Sequence, residues 1–314
     1  MPYYFIFLTL ISLPAFSKDI KIKGYIYSTI ELERYGNGGI YHGGKFNLKT
    51  KRYEGVQGRL GLKITTEDNA TNIQNLTINK KLDKSARVIW GYQKKKLGFE
   101  YVDSKRERAS IRRTMIYDVL ESSGYTGRQG GVTYEVKPED DGMGYWFTGG
   151  GSESQNSDLL MGTKTISGNF EYYSWLLAQS HHTSEGALGA GVAGLGIRSS
   201  GVEPSFESEV FYGLDTDQSE LEDTNVFFVA GKLTYFLPRF GESARFLPVV
   251  KLAVLNHDTR FSDYQSRSAL LGLSFEDGPL LIGANLEYIG RSNKNSTEWS
   301  DHDSRGLVEA LFSF

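Results

Sequence analysis

Apolar and polar residues alternate along most of this chain. In residues 19–33, Ile22, Ile26 and Ile30 occupy one phase, and lysines, tyrosines and glutamates occupy the other. A period of two residues is typical of a β-strand with two different faces, whereas an amphipathic helix repeats every 3.6 residues. The pattern recurs to the end of the chain and predicts about sixteen strands, mostly as long as a tilted membrane strand. They lie near residues 19–33, 53–66, 71–80, 85–93, 96–104, 129–137, 143–150, 158–166, 169–180, 187–198, 205–214, 225–236, 246–256, 266–275, 279–289 and 305–314.

The connections between these strands alternate in length. If the first is called outer, the inner ones are short and turn-like: 67–70, 94–95, 138–142, 167–168 and 276–278. The outer ones are mostly longer and polar: 34–52, 105–128, 215–224, 257–265 and 290–304. Two connections depart from this rule, since 237–245 is a long inner one and 81–84 is a short outer one. Short turns on one rim and long loops on the other are typical of a membrane barrel.

Composition removes several other classes of protein. Without cysteine, a disulfide scaffold and a Cys-based zinc site are impossible. The 35 Lys and Arg against 38 Asp and Glu give a net charge of −3, which argues against a nucleic-acid partner. An apolar content of 39% argues against disorder. After the N-terminus the sequence contains no run of about twenty apolar residues, so it does not predict a membrane helix. The mean hydropathy of −0.37 fits strands that have one apolar and one polar face.

The first 17 residues predict export. They carry no charged side chain, Ile6 to Leu13 is mostly apolar, and Ala15 and Ser17 are small, as a signal-peptidase site requires. No Lys or Arg precedes the apolar run, so a buried first strand is the alternative. We expect a signal peptide over 1–17 and a barrel domain over 18–314.

The last strand favours a membrane barrel over a soluble sandwich. Gly306, Val308, Ala310, Phe312 and Phe314 share one phase, and the chain ends on Phe314. A terminal Phe on an aromatic strand is similar to the sorting signal that the barrel-assembly machinery reads. With the predicted signal peptide and the loop asymmetry, it predicts apolar side chains towards lipid and polar ones towards a lumen.

Four short segments then resemble the Gram-negative general porins. They are Ile22–Ile26, Gly58–Lys63, Gly127–Tyr134 and Phe312–Phe314. The resemblance implies an all-β transmembrane antiparallel barrel in the outer membrane, among lipid and lipopolysaccharide, with an inward-folded third loop. It also implies a homotrimer that passes small hydrophilic solutes by passive diffusion, with no catalysis and no cofactor. The longest predicted outer connection, 105–128, falls between the predicted fifth and sixth strands, where this family has its constriction loop.

The resemblance also implies a charged pore constriction. Its basic wall would be Arg59, Arg87 and Arg128, with Asp118 and Glu121 opposite, and the field between them would orient and filter solutes. Strict alternation places Arg128 in the phase of outward-facing residues, so it fits the lumen only beside a bulge or ahead of the regular strand. The alternative is that these charges are ordinary solvated lumen residues. The polar phase of the early strands adds Lys21, Lys23 and Lys63 as lumen cations.

Other functions remain open. An anion preference would follow from the four loop arginines, which Glu107 partly offsets. Arg112 and Arg113 can instead pair with nearby carboxylates or lipopolysaccharide phosphates. An oligosaccharide channel would need an aromatic track, to which only Tyr25 and Tyr27 contribute in the polar phase. A barrel hydrolase would need a rim triad such as His257, Asp258 and Ser262. The loop arginines are Arg106, Arg108, Arg112 and Arg113.

Metal and nucleotide sites are weakly supported. The pair His181–His182 lacks further ligands at a telling spacing. The acidic residues of 215–223 lack the calcium-loop pattern. The glycine-rich segment 186–196 contains no phosphate-binding Gly-Lys-Ser/Thr sequence, so we interpret it as a strand packed against something close.

Overall fold

The computed structural model describes residues 20–33, 39–66, 70–102, 114–151, 157–183, 186–199, 203–216, 219, 224–241, 244–261, 264–292 and 299–314. Within these ranges the chain forms sixteen strands and two short helices. The strands are β1 (Ile20–Glu33), β2 (Gly39–Thr50), β3 (Val56–Thr65), β4 (Ala70–Lys81), β5 (Ala86–Lys94), β6 (Arg128–Val136), β7 (Met143–Gly151), β8 (Ser157–Ser167), β9 (Phe170–Thr183), β10 (Gly186–Ser199), β11 (Ser205–Leu214), β12 (Phe227–Phe236), β13 (Arg245–Asn256), β14 (Gln265–Asp277), β15 (Leu280–Ser292) and β16 (Trp299–Ser313). The helices are α1 (Phe99–Val102) and α2 (Met115–Ser122). Neither of them is long and apolar enough to cross a membrane.

The strands make one closed antiparallel sheet in which each strand pairs with its neighbours in sequence. β1 closes the barrel against β16, with Tyr25 opposite Ser313 and Glu33 opposite Arg305. Closure pairs every strand on both sides and leaves no edge. The barrel end where β1 begins and β16 ends is called the terminal rim, and the opposite end is called the loop rim. The predicted antiparallel barrel of about sixteen strands is confirmed.

Alternate residues of each strand face outward or into the lumen. In β1, Ile22, Ile26 and Ile30 are exposed on the outer face, at 46%, 44% and 41%. In β16, Val308 and Phe312 are likewise exposed outward. A belt of exposed apolar side chains around the whole sheet far exceeds the patches that water-soluble monomers carry, and it matches a surface that contacts lipid.

Two predicted elements between β1 and β6 are wrong. The described part of the predicted strand 96–104, residues 96–102, is not a strand, because the chain leaves the wall there and Leu97 and Phe99 are buried inside the lumen. Conversely, β2 occupies residues that look like a loop, because His42 and Gly44 interrupt the apolar phase of Ile40, Phe46 and Leu48. One missed strand and one extra strand cancel in the count. The two errors also exchange the rims of two connections. The link after β3, predicted as an inner turn, lies at the loop rim, and the link after β4, predicted as an outer loop, lies at the terminal rim.

The glycine-rich strand β10 packs closely against aromatic rings. A Cβ atom on Gly194 would lie 2.6 Å from the Phe211 ring, and one on Gly196 would lie 2.6 Å from the Trp175 ring. Because only glycine leaves room for these rings to lie flat on the lumen face, the predicted packing of a strand against something close is confirmed.

Candidate functional site

Residues 95–102 and 114–127, together called the inner loop, fold into the lumen between β5 and β6. Its apolar side chains pack against the lumen face of β8–β13 and form the main apolar cluster of the described residues. Each fully buried large apolar side chain stabilises this contact by about 1.5–3 kcal/mol. The lumen face is therefore apolar in the sector that contacts the inner loop, and polar residues line only the rest of it. The cluster includes Leu97, Phe99, Met115, Ile116, Tyr117, Leu120 and Tyr125 of the loop, and Leu160, Trp175, Leu177, Val192, Phe211, Phe228, Ala253 and Leu255 of the wall.

Helix α2 gives the inner loop two faces. Met115, Ile116 and Leu120 are buried, whereas Asp118 and Glu121 are exposed. The buried face packs against β12 and β13. In a closed sheet of sixteen strands, β12 lies diametrically opposite β4. The two carboxylates therefore look across the lumen towards β3–β5.

The wall that faces α2 is basic. Lys21, Lys23 and Lys63 take the phase of β1 and β3 opposite to the exposed isoleucines of the outer face. The register places Lys49 of β2 beside Lys21, and Lys45 beside Lys63. Like charges directly opposite each other repel, so a potential attractive to anions builds up here. We call this set the basic wall: Lys21, Lys23, Lys45, Lys49, Arg59 and Lys63.

Two of the predicted constriction residues come together on this side of the lumen. Arg59 of β3 lies opposite Lys49 and interacts electrostatically with Arg87 of β5. Arg87 forms an ion pair with Glu135 of β6, with 2.9 Å between Nη2 and Oε2. Arg59 and Arg87 thus face α2 from the far wall, with Glu135 as a nearby counter-charge.

Arg128 lies elsewhere. It begins β6 in the same phase as Val132 and Tyr134, both of which are exposed outward. Its guanidinium donates to the carbonyl and side-chain oxygens of Gln74 and to Oδ1 of Asn75, 3.1 Å away. Gln74 is the extra residue of a β-bulge in β4. Arg128 therefore ties β6 to β4 near the loop rim, and the structure does not bring it to Arg59 and Arg87.

A buried ion cluster holds the first half of the inner loop. Lys232 Nζ lies 2.7 Å from Glu209, 3.0 Å from Glu207 and 3.4 Å from Glu100 of α1, and Lys251 also binds Glu100. Burial favours the neutral acid, but the two ammonium groups hold the pKa of Glu100 well below its usual range. The loop is thus fixed by charge as well as by apolar contact.

A second buried pair closes the base of the inner loop. Lys95, just after β5, lies 2.7 Å from the Asp158 carboxylate of β8 and donates to the Gly124 carbonyl at 2.7 Å. Both charged side chains are almost fully buried. Lys95 therefore joins the outgoing and returning ends of the loop to the wall.

Two ionic triads remain open to the lumen. In the first triad, Arg87 and Lys96 share Glu135, and Lys96 Nζ lies 2.6 Å from that carboxylate and 5.8 Å from the centre of the Trp146 ring. The sequence does not predict this triad, because alternation assigns a face to each residue but not its neighbours across strands.

The second triad follows around the same wall. Lys164 and Arg198 share Glu171, at 2.7 and 2.5 Å. Tyr173 donates its hydroxyl hydrogen to the same carboxylate at 2.8 Å, and Lys164 lies 5.5 Å from its ring centre. Each triad thus combines two cations, one carboxylate and one aromatic ring.

The predicted rim triad of a hydrolase is not assembled among the described residues. The Asp258 carboxylate binds Arg260, with 2.7 Å between Oδ2 and Nη2, and His257 Nε2 lies 2.7 Å from Ser266 Oγ instead. Ser266 is buried. Ser262 lies outside the described residues.

Several other predicted residues also fall outside the described part of the chain. They are the loop arginines Arg106, Arg108, Arg112 and Arg113, residues 1–17, most of the acidic segment 217–223, and the side chains of His181 and His182. Among the described residues, no group of His, Asp and Glu is arranged to hold a metal ion.

Comparison with known proteins shows the fold. No protein-family model matches this chain, and no curated protein matches it. An anion-selective porin from Comamonas acidovorans superposes with a TM-score of 0.71 and 11% identity, over 94% of this chain and 99% of that one. The chain has a porin fold.

Two further solved structures agree. OmpF of Salmonella typhi, in complex with daunomycin, gives a TM-score of 0.62 and 10% identity, over 94% of this chain and 97% of that one. The trimer form of in-vitro folded OmpT, an outer membrane protein of Vibrio cholerae, gives a TM-score of 0.61 and 10% identity, over 94% of this chain and 99% of that one.

Proposed function

We propose that the protein is a water-filled channel through which small hydrophilic solutes and ions diffuse passively. One observation carries the proposal: Asp118 and Glu121 stand exposed on a helix that is fixed to the wall opposite Arg59 and Arg87. Opposite charges across a lumen create a transverse field that orients dipolar solutes and sorts ions by charge. No catalytic step is assigned to this site, and no cofactor is needed.

A preference for anions is the second candidate. Among the described side chains, the lumen-facing phase of β1–β3 carries the six cations of the basic wall against one carboxylate, that of Glu31. The two open triads also hold more cations than carboxylates. This imbalance favours anions over cations wherever the pore is narrow.

The setting of this channel is the outer membrane of a Gram-negative bacterium. The apolar outer belt supports contact with lipid, and the porin fold supports this location. We infer that residues 1–17 are the export signal, that Phe314 engages the barrel-assembly machinery, and that the loop rim meets lipopolysaccharide.

We further infer a homotrimer that packs through the outer faces of the first and last strands. The link between β3 and β4 is too short for a latch onto a neighbour, so flat barrel-to-barrel packing must supply the contact. Trimer-sized particles in mild detergent would agree, whereas a strictly monomeric size would contradict the trimer alone.

Reconstitution tests the channel. Folded protein should give stepwise conductance in planar bilayers, and proteoliposomes should swell with small sugars but not with large ones. Folded protein that inserts into bilayers without any conductance would contradict the proposal. Hydrolysis of phospholipid or peptide that is lost in His257→Asn would support the hydrolase instead.

A further inference from the structure

The charged clusters of the lumen differ in how open they are. The side chains of Lys95, Asp158 and Lys232 are at most 2% exposed, so they hold the inner loop and cannot meet a solute. In the first triad, Arg87 and Lys96 are 23% and 26% exposed. Only the two triads, among these clusters of the described chain, combine close ion pairs with access to the lumen.

Within each triad the cations are more open than the carboxylate. Glu135 is 13% exposed and Glu171 is 11% exposed, whereas Lys164 and Arg198 reach 23% and 31%. Two cations share one carboxylate in both cases, so each triad keeps one net positive charge. Each therefore presents positive charge to the lumen and keeps its negative charge behind it.

Partly exposed aromatic rings join the two triads. Trp146 lies beside Glu135 in the register and directly opposite Gly162 of β8. A Cβ atom on Gly162 would lie 2.1 Å from the Trp146 ring, so the ring lies flat across β8. Two residues further along β8, Lys164 lies opposite Tyr173. The strip from β5 to β10 is therefore continuous, about 24 Å wide at the usual strand spacing.

We propose that this strip is a binding station for small aromatic or heteroaromatic carboxylates. The carboxylate of the solute would accept hydrogen bonds from Lys96, Lys164 or Arg198, and its flat ring would lie against Trp146 or Tyr173. Charge-assisted hydrogen bonds are about twice as strong as neutral ones, and an aromatic face adds area that a plain anion does not use. The proposal deepens the proposed channel function and rests on it.

A neutral sugar fits the strip less well. Its hydroxyls would have to compete with the existing ion pairs, and it would leave each triad's extra positive charge without a counter-ion. A free cation is disfavoured too, because each triad already keeps one net positive charge.

Current blockade by benzoate tests the station. Single wild-type channels in planar bilayers should show brief blockades whose frequency rises with benzoate concentration. Equimolar acetate, which has no ring, and benzamide, which has no charge, should block at least about tenfold more weakly, as expected for loss of one good contact. Maltotriose serves as the neutral sugar.

Matched variants locate the station. Lys164→Gln and Trp146→Leu should each weaken benzoate blockade about tenfold. Lys84→Gln removes an exposed cation from the turn between β4 and β5 and should leave the blockade within about twofold of wild type. Should Lys164→Gln fail to form channels, Lys96→Gln in the first triad takes its place.

Three results would overturn the station while leaving the channel intact. They are equal blockade by benzoate and acetate, stronger blockade by maltotriose than by benzoate, and equal effects of Lys84→Gln and Lys164→Gln. Absence of conductance in wild-type protein would instead contradict the channel itself.

Discussion

Lys95 shows how a single residue can determine the shape of a pore. Its ammonium group is buried between the Asp158 carboxylate and the Gly124 carbonyl, so its loss leaves a buried charge without compensation. Removing one partner of a buried pair costs about 3–5 kcal/mol, whereas replacing both partners by apolar groups is often nearly neutral.

Lys95→Met should therefore lower the free energy of unfolding by about 3 kcal/mol or more in urea titrations of the detergent-solubilised or reconstituted protein. The double variant Lys95→Met/Asp158→Leu should recover most of that loss. Lys63→Met, in the basic wall, is the control and should stay within about 0.5 kcal/mol of wild type. Equal losses in Lys95→Met and Lys63→Met would contradict the buried clamp.

His257 makes stability depend on pH. Burial, reinforced by Arg291, lowers its pKa from 6.5 to about 4. Above pH 6.5 the imidazole is neutral whether the chain is folded or unfolded. Between pH 6.5 and 4 the unfolded chain binds a proton that the folded state does not, so the free energy of unfolding falls by at most about 3 kcal/mol.

The His257→Asn variant should lose less stability than wild type when unfolding is compared at pH 7 and pH 4.5. Parallel pH profiles for the two proteins would show that the His257 imidazole, packed against Tyr264 and Ser266, is not the responsible group.

At the residue scale, alternation was sufficient for lumen residues in regular strands. Lys21, Lys23 and Lys63 share the polar phase of β1 and β3. Alternation also places Arg128 in the outward phase of Val132 and Tyr134, and only the resemblance assigned it to the constriction. Its partners Gln74 and Asn75 could not be predicted, because they lie at a bulge two strands away. The two triads could not be predicted from the sequence either, because each joins residues from at least two strands.

At the element scale, apolar spacing led to one strand too many in the prediction, and glycine led to one strand too few. The segment 96–104 has the alternation of a strand, yet Leu97 and Phe99 meet the apolar sector of the lumen instead of lipid. Glycine weakens the apolar phase of β2, although ladders on both sides hold it as a strand. Local pattern reports which residues are buried, but not the surface that buries them.

Strand β10 offers a matched test of this packing. Gly194→Ala would place a Cβ 2.6 Å from the Phe211 ring, whereas Gly189→Ala would meet nothing within 4 Å. We expect Gly194→Ala to destabilise the protein by about 1–3 kcal/mol in urea titrations and Gly189→Ala to be near neutral. The reverse order would contradict the aromatic packing on the lumen face.

Helix α2 should control the width of the pore through its buried face. Leu120→Ala removes a fully buried side chain and should cost about 2–5 kcal/mol. Because the loosened loop would no longer be held to β12 and β13, single-channel recordings should show higher or noisier conductance. Ser122→Ala, on the exposed face of the same helix, should leave the conductance level steady. If the Leu120→Ala variant showed the same steady conductance as wild type, this result would contradict the anchoring role of Leu120.

At the scale of the whole molecule, the barrel follows from the repeated alternation of apolar and polar residues. Its proposed function follows from the difference between two sectors of the lumen wall. One half of the wall, β8–β13, seats the inner loop, and the other half, β1–β5, stays basic and open. The closed barrel and the position of the third loop were predictable because each repeats or interrupts a long pattern. The number of strands agrees only because the missed strand β2 and the extra strand predicted over 96–104 cancel. The sector that receives the loop was not, since it depends on contacts between residues far apart in the chain.

The zero-current potential of single channels in a salt gradient tests the central claim most directly. Asp118→Lys and Glu121→Lys should shift this potential towards anion selectivity, because both carboxylates face the basic wall across the pore. Glu139→Lys, in the turn after β6, is the matched control and should shift it less. Identical zero-current potentials for wild type, Asp118→Lys and Glu121→Lys would contradict a constriction formed between α2 and the basic wall.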